Sequence, residues 1–222
     1  MKRFVILSWC AILLSVAPVI NIFSQESYSP RVMMGLVGGA NMSNVIFIPN
    51  VQQAYKWGMD AGAVLRVDVE SYAGIWLEAS YSQRGWTEAP TEEGGYTYSR
   101  SLRYVSVPVL THLMIGERPL KLVVQAGPQF GYLLGESATT TYPSEGVKGV
   151  ETHQHDIPVQ NKMAWGLTGG LGAEYHLPHF VIGLKGGYYY GLGDLFHNTR
   201  QDYFGKTSEQ VFSAKLYLLY SF

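Results

Sequence analysis

Residues 210–222 read QVFSAKLYLLYSF, and their alternation decides the fold. Phe212, Ala214, Leu216, Leu218, Tyr220 and Phe222 fall on one side of an extended chain, with Ser213, Lys215, Tyr217, Leu219 and Ser221 on the other. Successive side chains of a strand point to opposite faces. One face therefore suits lipid, while the lysine on the other needs a polar interior. This is the pattern of a transmembrane barrel strand.

Seven further segments alternate in the same way: Arg31–Met42, Trp57–Val69, Gly74–Thr87, Leu102–Ile115, Leu120–Gly135, Lys162–Leu177 and Phe180–Leu192. Each is long enough to cross a bilayer as a tilted strand, which takes about 9–11 residues. No stretch after residue 25 has the length and apolar run of a spanning helix, and no long helical period is present. The connections alternate in length. Glu70–Ala73, Gly116–Pro119 and Pro178–His179 are tight turns rich in strand-breaking residues. Ser43–Lys56, Glu88–Ser101, Glu136–Asn161 and Gly193–Glu209 are long and polar. The expectation is an all-β, eight-stranded antiparallel up-and-down transmembrane barrel, with periplasmic turns, extracellular loops and both termini on the periplasmic side.

Charge phase tests this, because an Arg or Lys on the lipid face at mid-bilayer costs about 2–4 kcal/mol. Asp60, Arg66 and Asp68 share a phase opposite Trp57, Met59, Ala61, Ala63, Leu65 and Val67. Glu78 and Arg84 oppose Ile75, Leu77, Ala79 and Tyr81. Lys121, Glu174, Lys185 and Lys215 fall inward in the same sense, opposite leucines, valines and isoleucines. Arg103 is off phase, but it adjoins a long loop, at a headgroup depth where a charge costs little. A soluble lipocalin-like barrel would carry the reverse polarity, apolar inside and wet outside.

Composition agrees. The chain has 222 residues, 47% of them apolar, 14% aromatic and only 15% charged, with a net charge of −1. That is one domain's length, with charge below the roughly 25% usual for soluble proteins. The balance offers no basic face for nucleic acid. Residues 1–24 combine a basic start, an apolar run (Phe4–Phe23) and a small residue, Ser24, before the chain turns polar. This is the form of a secretory signal peptide cleaved after Ser24, leaving residues 25–222 as the barrel domain. Cys10, the one cysteine, lies in that segment behind Trp9, which is not the setting of a lipoprotein attachment site. A mature chain without cysteine has neither disulfides nor thiolate chemistry.

Several phrases resemble the PorT-type outer-membrane β-barrel proteins, a porin-family group: Gly35–Asn44 (GLVGGANMSN), Trp76–Gly85 (WLEASYSQRG), Tyr104–His112 (YVSVPVLTH), Gln125–Leu134 (QAGPQFGYLL) and Gly169–Tyr175 (GGLGAEY). They occur in family order across most of the mature chain. The resemblance implies the barrel and an outer-membrane location. It does not bring the secretion role after which the family is named. Ser106 and Gln125 stand where the family often carries acidic residues, which alters the lumen. A last strand closing on Phe222 also resembles the signal read by the barrel-assembly machinery.

The inward set is Asp60, Asp68, Glu78 and Glu174 against Arg66, Arg84, Lys121, Lys185 and Lys215, with Gln125, Gln129, His112 and His176 beside them. An eight-stranded barrel is just wide enough for side chains to fill, so a balanced salt-bridge core is expected in preference to a conduit. The inward glycines Gly39, Gly62, Gly127, Gly131, Gly170, Gly172, Gly183 and Gly187 suit either. His153, His155 and Asp156 offer a weak metal pattern in a loop, and His197, Asp194 and Asp202 a weaker one. Ser106, His112 and Glu78 are the residues an enzyme reading would use, but they face the lumen, and no GxSxG elbow, phosphate loop or HExxH is present. Trp57, Tyr81, Trp165, Tyr188, Tyr190, Tyr220 and Phe222 read as interfacial anchors, and the loop aromatics Tyr96, Tyr98, Tyr142, Tyr203 and Phe204 as partner contacts. The expectation is a non-catalytic membrane scaffold with ligand- or partner-binding loops and no cofactor, metal or catalytic residue. Its expected partners are outer-membrane lipid, the assembly machinery and an envelope or extracellular protein. A narrow porin-like channel is the alternative, and a lipid-modifying or hydrolytic enzyme comes third.

Overall fold

The computed structural model describes residues 29–88, 97–141, 155, 157–198 and 204–222. Residues 1–24, the expected signal segment, lie outside them. Among the described residues nine strands are formed: β1 (Arg31–Ile48), β2 (Gln53–Ala54), β3 (Lys56–Asp68), β4 (Ala73–Glu88), β5 (Thr97–Ile115), β6 (Leu120–Thr141), β7 (Met163–His176), β8 (Phe180–Asp194) and β9 (Lys206–Ser221). β2 is a two-residue addition on the end of β4. The eight long strands pair antiparallel with their neighbours, and β1 pairs with both β3 and β9, so the sheet closes on itself. Closure satisfies every strand edge internally, which hydrocarbon requires.

All eight expected segments are strands, and the three short connections fall where the turn residues lie. Arg31 faces Asp68 and Met33 faces Ser221, so both ends of the ring's chain share one rim with the short turns. The wall is longer than the sequence pattern implied at the opposite rim. Much of 43–56 is strand, since β1 continues to Ile48, and β6 runs to Thr141. At 16–22 residues, β4, β5 and β6 exceed what a bilayer crossing needs.

The phase is as expected around the ring. Leu36, Met59, Leu171, Leu184 and Leu216 face out and are exposed. Asp60, Arg66, Asp68, Glu78, Arg84 and Glu174 face in and are buried. Trp57, Tyr81, Tyr132, Trp165 and Phe212 face outward near the loop rim, and Tyr72, Tyr175, Phe180, Tyr220 and Phe222 near the turn rim. Aromatic girdles therefore bound the apolar belt on both sides, at the depth where such rings settle.

Beyond the loop-side girdle the polarity inverts. Gln83, Thr87, Ser99, Ser101 and Ser137 take the outward positions, while Trp86, Tyr98, Leu102, Tyr104 and Leu133 turn inward and are buried. They join Val45, Phe47, Val159, Leu195, Phe196 and Phe204 in an apolar cluster that fills the loop-side mouth. Tyr98 and Phe204, expected as exposed partner contacts, are thus core residues. Tyr96, Tyr142 and Tyr203 lie outside the described residues.

The belt predicts a position-dependent cost. Leu216→Arg, at the middle of β9's outer face, is expected to destabilise the barrel in lipid vesicles by about 2–4 kcal/mol, and Leu177→Arg, at the turn rim, by about 0–1 kcal/mol. Equilibrium denaturant unfolding in vesicles measures both; equal costs would show that the two positions do not differ in depth.

Candidate functional site

The lumen gathers the charges that phase assigned to it, and it holds them in tiers. Nearest the turn rim, Glu174 on β7 receives two hydrogen bonds from Arg66 Nη1 on β3, at 2.8 and 2.9 Å. The Tyr217 hydroxyl on β9 donates to its Oε1 at 2.6 Å, and His176 Nε2 lies 3.0 Å from its Oε2. His112 Nε2 on β5 approaches Oε1 at 3.1 Å, without hydrogen-bond alignment. The other edge of the Arg66 guanidinium is held by Asp68, with Nε–Oδ1 at 2.6 Å and Nη2–Oδ2 at 2.8 Å. Neither Arg66 nor Glu174 exposes any surface. A fully desolvated pair of this kind persists only with such complete hydrogen bonding.

At the next tier Glu78 on β4 accepts from Lys185 Nζ on β8 at 3.0 Å and from Lys215 Nζ on β9 at 2.8 Å. Trp76 Nε1 donates to Glu78 at 3.2 Å, and the Lys185 ammonium stands 4.1 Å from the centre of the Trp76 ring. Asp60 lies 3.8 Å from Lys215 and accepts from Asn41 Nδ2 at 2.9 Å. Above it, the Arg84 guanidinium is flanked by the rings of Tyr104 and Tyr189 at 5.2 and 4.9 Å. Arg84 donates to Ser82 and Ser106, and Glu209 stands 3.9 Å away. At the mouth, Arg100 pairs with Glu136 at 2.7 Å beneath Trp86 and Phe196.

Between the ionic tiers, Met33, Val37, Val64, Trp76, Leu110, Val181, Tyr217 and Leu219 form a second apolar cluster. Gly183 makes room for it, since a Cβ there would collide with the Tyr217 ring. The space left beside Lys185 and Lys215, lined by Asp60, Glu78, Gln125 and Gln129, is a cavity of about 50 Å³. A water molecule needs about 10–15 Å³ by this measure, so the cavity holds a few waters and no larger solute.

The enzyme candidates are kept apart. Ser106 accepts from Arg84 at 2.7 Å, His112 is bound by Gln125 at 2.7 Å, and Glu78 belongs to the two lysines. The two departures from the resembled family are absorbed in the same contacts. Gln125 both donates to His112 and accepts from Lys185 at 3.3 Å. Lys121 sits at the turn rim, donating to the Ser71 carbonyl at 2.8 Å. Among the loop candidates, His155 stacks on Tyr98 with ring centres 3.7 Å apart and lies 2.8 Å from Glu88. Asp194 accepts from the Thr207 amide at 2.6 Å, and His197 is exposed. His153, Asp156 and Asp202 lie outside the described residues. Among those described, no group of three His, Cys, Asp or Glu side chains could hold a metal ion. Sequence reasoning missed Trp76, Trp86, Glu88, Arg100, Glu136 and Glu209 as lumen residues, whereas Tyr217 lies inward on the face it shares with Lys215, as expected. Trp76 shares the phase of Glu78, and that signal was available.

No curated protein matches the chain. Residues 23–197 match the model of the outer membrane protein beta-barrel domain. Among solved structures, OprG from Pseudomonas aeruginosa is 12% identical, over 86% of this chain and 96% of that one, with a TM-score of 0.49. Neisserial surface protein A is 11% identical, over 83% and 95%, at 0.44. Ail of Yersinia pestis is 16% identical, over 86% and 98%, at 0.40. The family match covers most of the chain, which therefore belongs to the outer membrane protein beta-barrel domain family and resides in the bacterial outer membrane.

Removing the hub charge leaves Arg66 buried with Asp68 alone. Glu174→Gln is expected to destabilise the barrel by about 3–5 kcal/mol, and Glu70→Gln in the exposed turn by less than about 0.5 kcal/mol, both measured by denaturant unfolding in vesicles. An equal, small effect would mean that Arg66–Glu174 does not hold the lumen together.

Proposed function

We propose that this barrel is a non-catalytic, closed scaffold that holds the longer connections at one rim for binding an envelope or extracellular partner. The observation that carries this reading is the filled lumen. Four ionic tiers, two apolar clusters and a cavity of about 50 Å³ leave no solute-sized path through the described residues. A rigid wall with long loops is the common arrangement for recognition. Residues 1–24 are proposed to be a cleaved signal, the turn rim periplasmic, the loop rim external, and β9 the strand presented to the assembly machinery. The strand phrases support a place near the PorT-type members, without their secretion role. Against catalysis stand the separate partners of Ser106, His112 and Glu78, which no bulk substrate reaches.

The refolded protein in planar bilayers is expected to give no reproducible single-channel steps. Steady conductance that falls on Lys185→Ala or Lys215→Ala would replace the scaffold with the narrow-channel reading.

A further inference from the structure

Most charged side chains at mid-wall are turned inward and paired, whereas two outward-facing cations near the loop rim, Lys56 and Arg103, share one groove. On the outer surface of β3–β6, a groove of about 260 Å³ is lined by Lys56, Trp57, Gln83, Ser101, Arg103 and Ser137. The register makes it continuous: Gln83 faces Arg103, Gly85 faces Ser101, and Ser101 faces Ser137. It lies directly beyond Trp57, Tyr81 and Tyr132, the loop-side girdle, and so at headgroup depth.

Both cations are steered into the groove by missing side chains. Gly85, at φ +143°, leaves the space along which Lys56 runs, with Lys56 Cδ 3.2 Å from where a Cβ would stand. The Arg103 guanidinium rests over Gly135, its Nη2 3.0 Å from the corresponding point. Lys56 spends one donor on Ser99 Oγ at 2.6 Å and keeps two. No carboxylate among the described residues lies within 4.0 Å of either cation. An ammonium and a guanidinium without acidic partners, with Gln83, Ser101 and Ser137 beside them, present donors suited to phosphate oxygens. The aromatic belt below them fixes the depth at which that phosphate would arrive.

We propose that this groove binds the phosphate of an anionic lipid headgroup in the leaflet at the loop rim, clamped by Lys56 and Arg103. The site is on the outer wall, where Arg84 also borders it from the lumen side. A phosphorylated glycolipid fits best, because the hydroxyl and amide groups flanking the cations can meet sugar hydroxyls.

Native mass spectrometry of the mature full chain, refolded in an uncharged detergent, tests this with lipid A carrying its phosphates, lipid A with the phosphates removed, and inorganic phosphate as competitor. The wild type is expected to bind the phosphorylated lipid at least about tenfold more tightly than the dephosphorylated one. Lys56→Gln and Arg103→Gln should each weaken binding about fivefold and together about 25-fold, with Arg118→Gln at the turn rim unchanged. Equal affinity for the two lipids, or full affinity in the double variant, would overturn the proposal. Displacement of the lipid by millimolar inorganic phosphate would overturn it too, by identifying a free-anion site. If the double variant loses heat-modifiable migration on a gel, the wild type's discrimination between the two lipids decides alone.

Discussion

Eight strands close a cylinder so narrow that side chains from opposite walls touch across it, and the contacts that result are ionic. Around the ring β3 and β7 stand four strands apart, as do β4 and β8. These are the diametric pairs that Arg66–Glu174 and Lys185–Glu78 connect. A cross-lumen pair does what neighbouring strands cannot, since ladder hydrogen bonds fix each strand only to the next. It sets the diameter and penalises any ovalisation that would pull the buried charges apart. In hydrocarbon the hydrophobic effect adds little to holding the wall shut, so the polar interior takes the role that an apolar core has in water.

The tiers also explain why near-neutrality is kept locally. Glu78 and Asp60 face Lys185 and Lys215; Arg84 faces Glu209; Arg100 faces Glu136. These three tiers are close to balanced, whereas at the turn rim Arg66 alone serves both Asp68 and Glu174. A surplus charge in one tier would have to draw on another several ångströms away, and a group left with one partner too few would lose more than a hydrogen bond returns. The aromatic rings beside Lys185, Arg84 and Arg100 complete this arrangement, offering cations a soft partner where no further carboxylate fits.

Strand number, phase and turn positions were legible in the sequence because lipid demands a strict alternation, and a single charged residue of the right parity reports its face. Lys215 oriented the whole of β9 in this way. What the sequence concealed lies where that demand ends. Beyond Trp57, Tyr81 and Tyr132 both surfaces of the wall meet water or protein, so Ser99 and Thr87 go outside while Tyr98 and Trp86 go inside. The lipid-type pattern then reads as if the strand had stopped. For the same reason Tyr98 and Phe204 looked like exposed loop residues, although they close the mouth. The charges of the two tiers nearest the turn rim were visible from parity, whereas Glu209, Arg100 and Glu136 near the mouth were not; which carboxylate serves which cation was hidden throughout, because cross-lumen partners are 107–137 positions apart in the chain.

On the proposed closed-scaffold reading, exchange with other molecules belongs to the barrel's outer surfaces. Among the described residues the loop-side mouth is filled by Phe47, Trp86, Phe196 and Phe204, whose rings pack against one another at centre distances of 5.0–6.4 Å. Lys56 and Arg103 stand apart from this economy of paired charges. Arg103 lies two residues beyond Val105, the last apolar outward position of β5, and the bulge between Arg103 and Tyr104 is where the β5–β6 register slips. An outward cation tolerated at the very height where the wall changes from lipid-facing to water-facing is anchored by depth as well as by charge. Moved two residues toward the belt it would meet acyl chains; moved two residues away it would lie in water, where salt screens it.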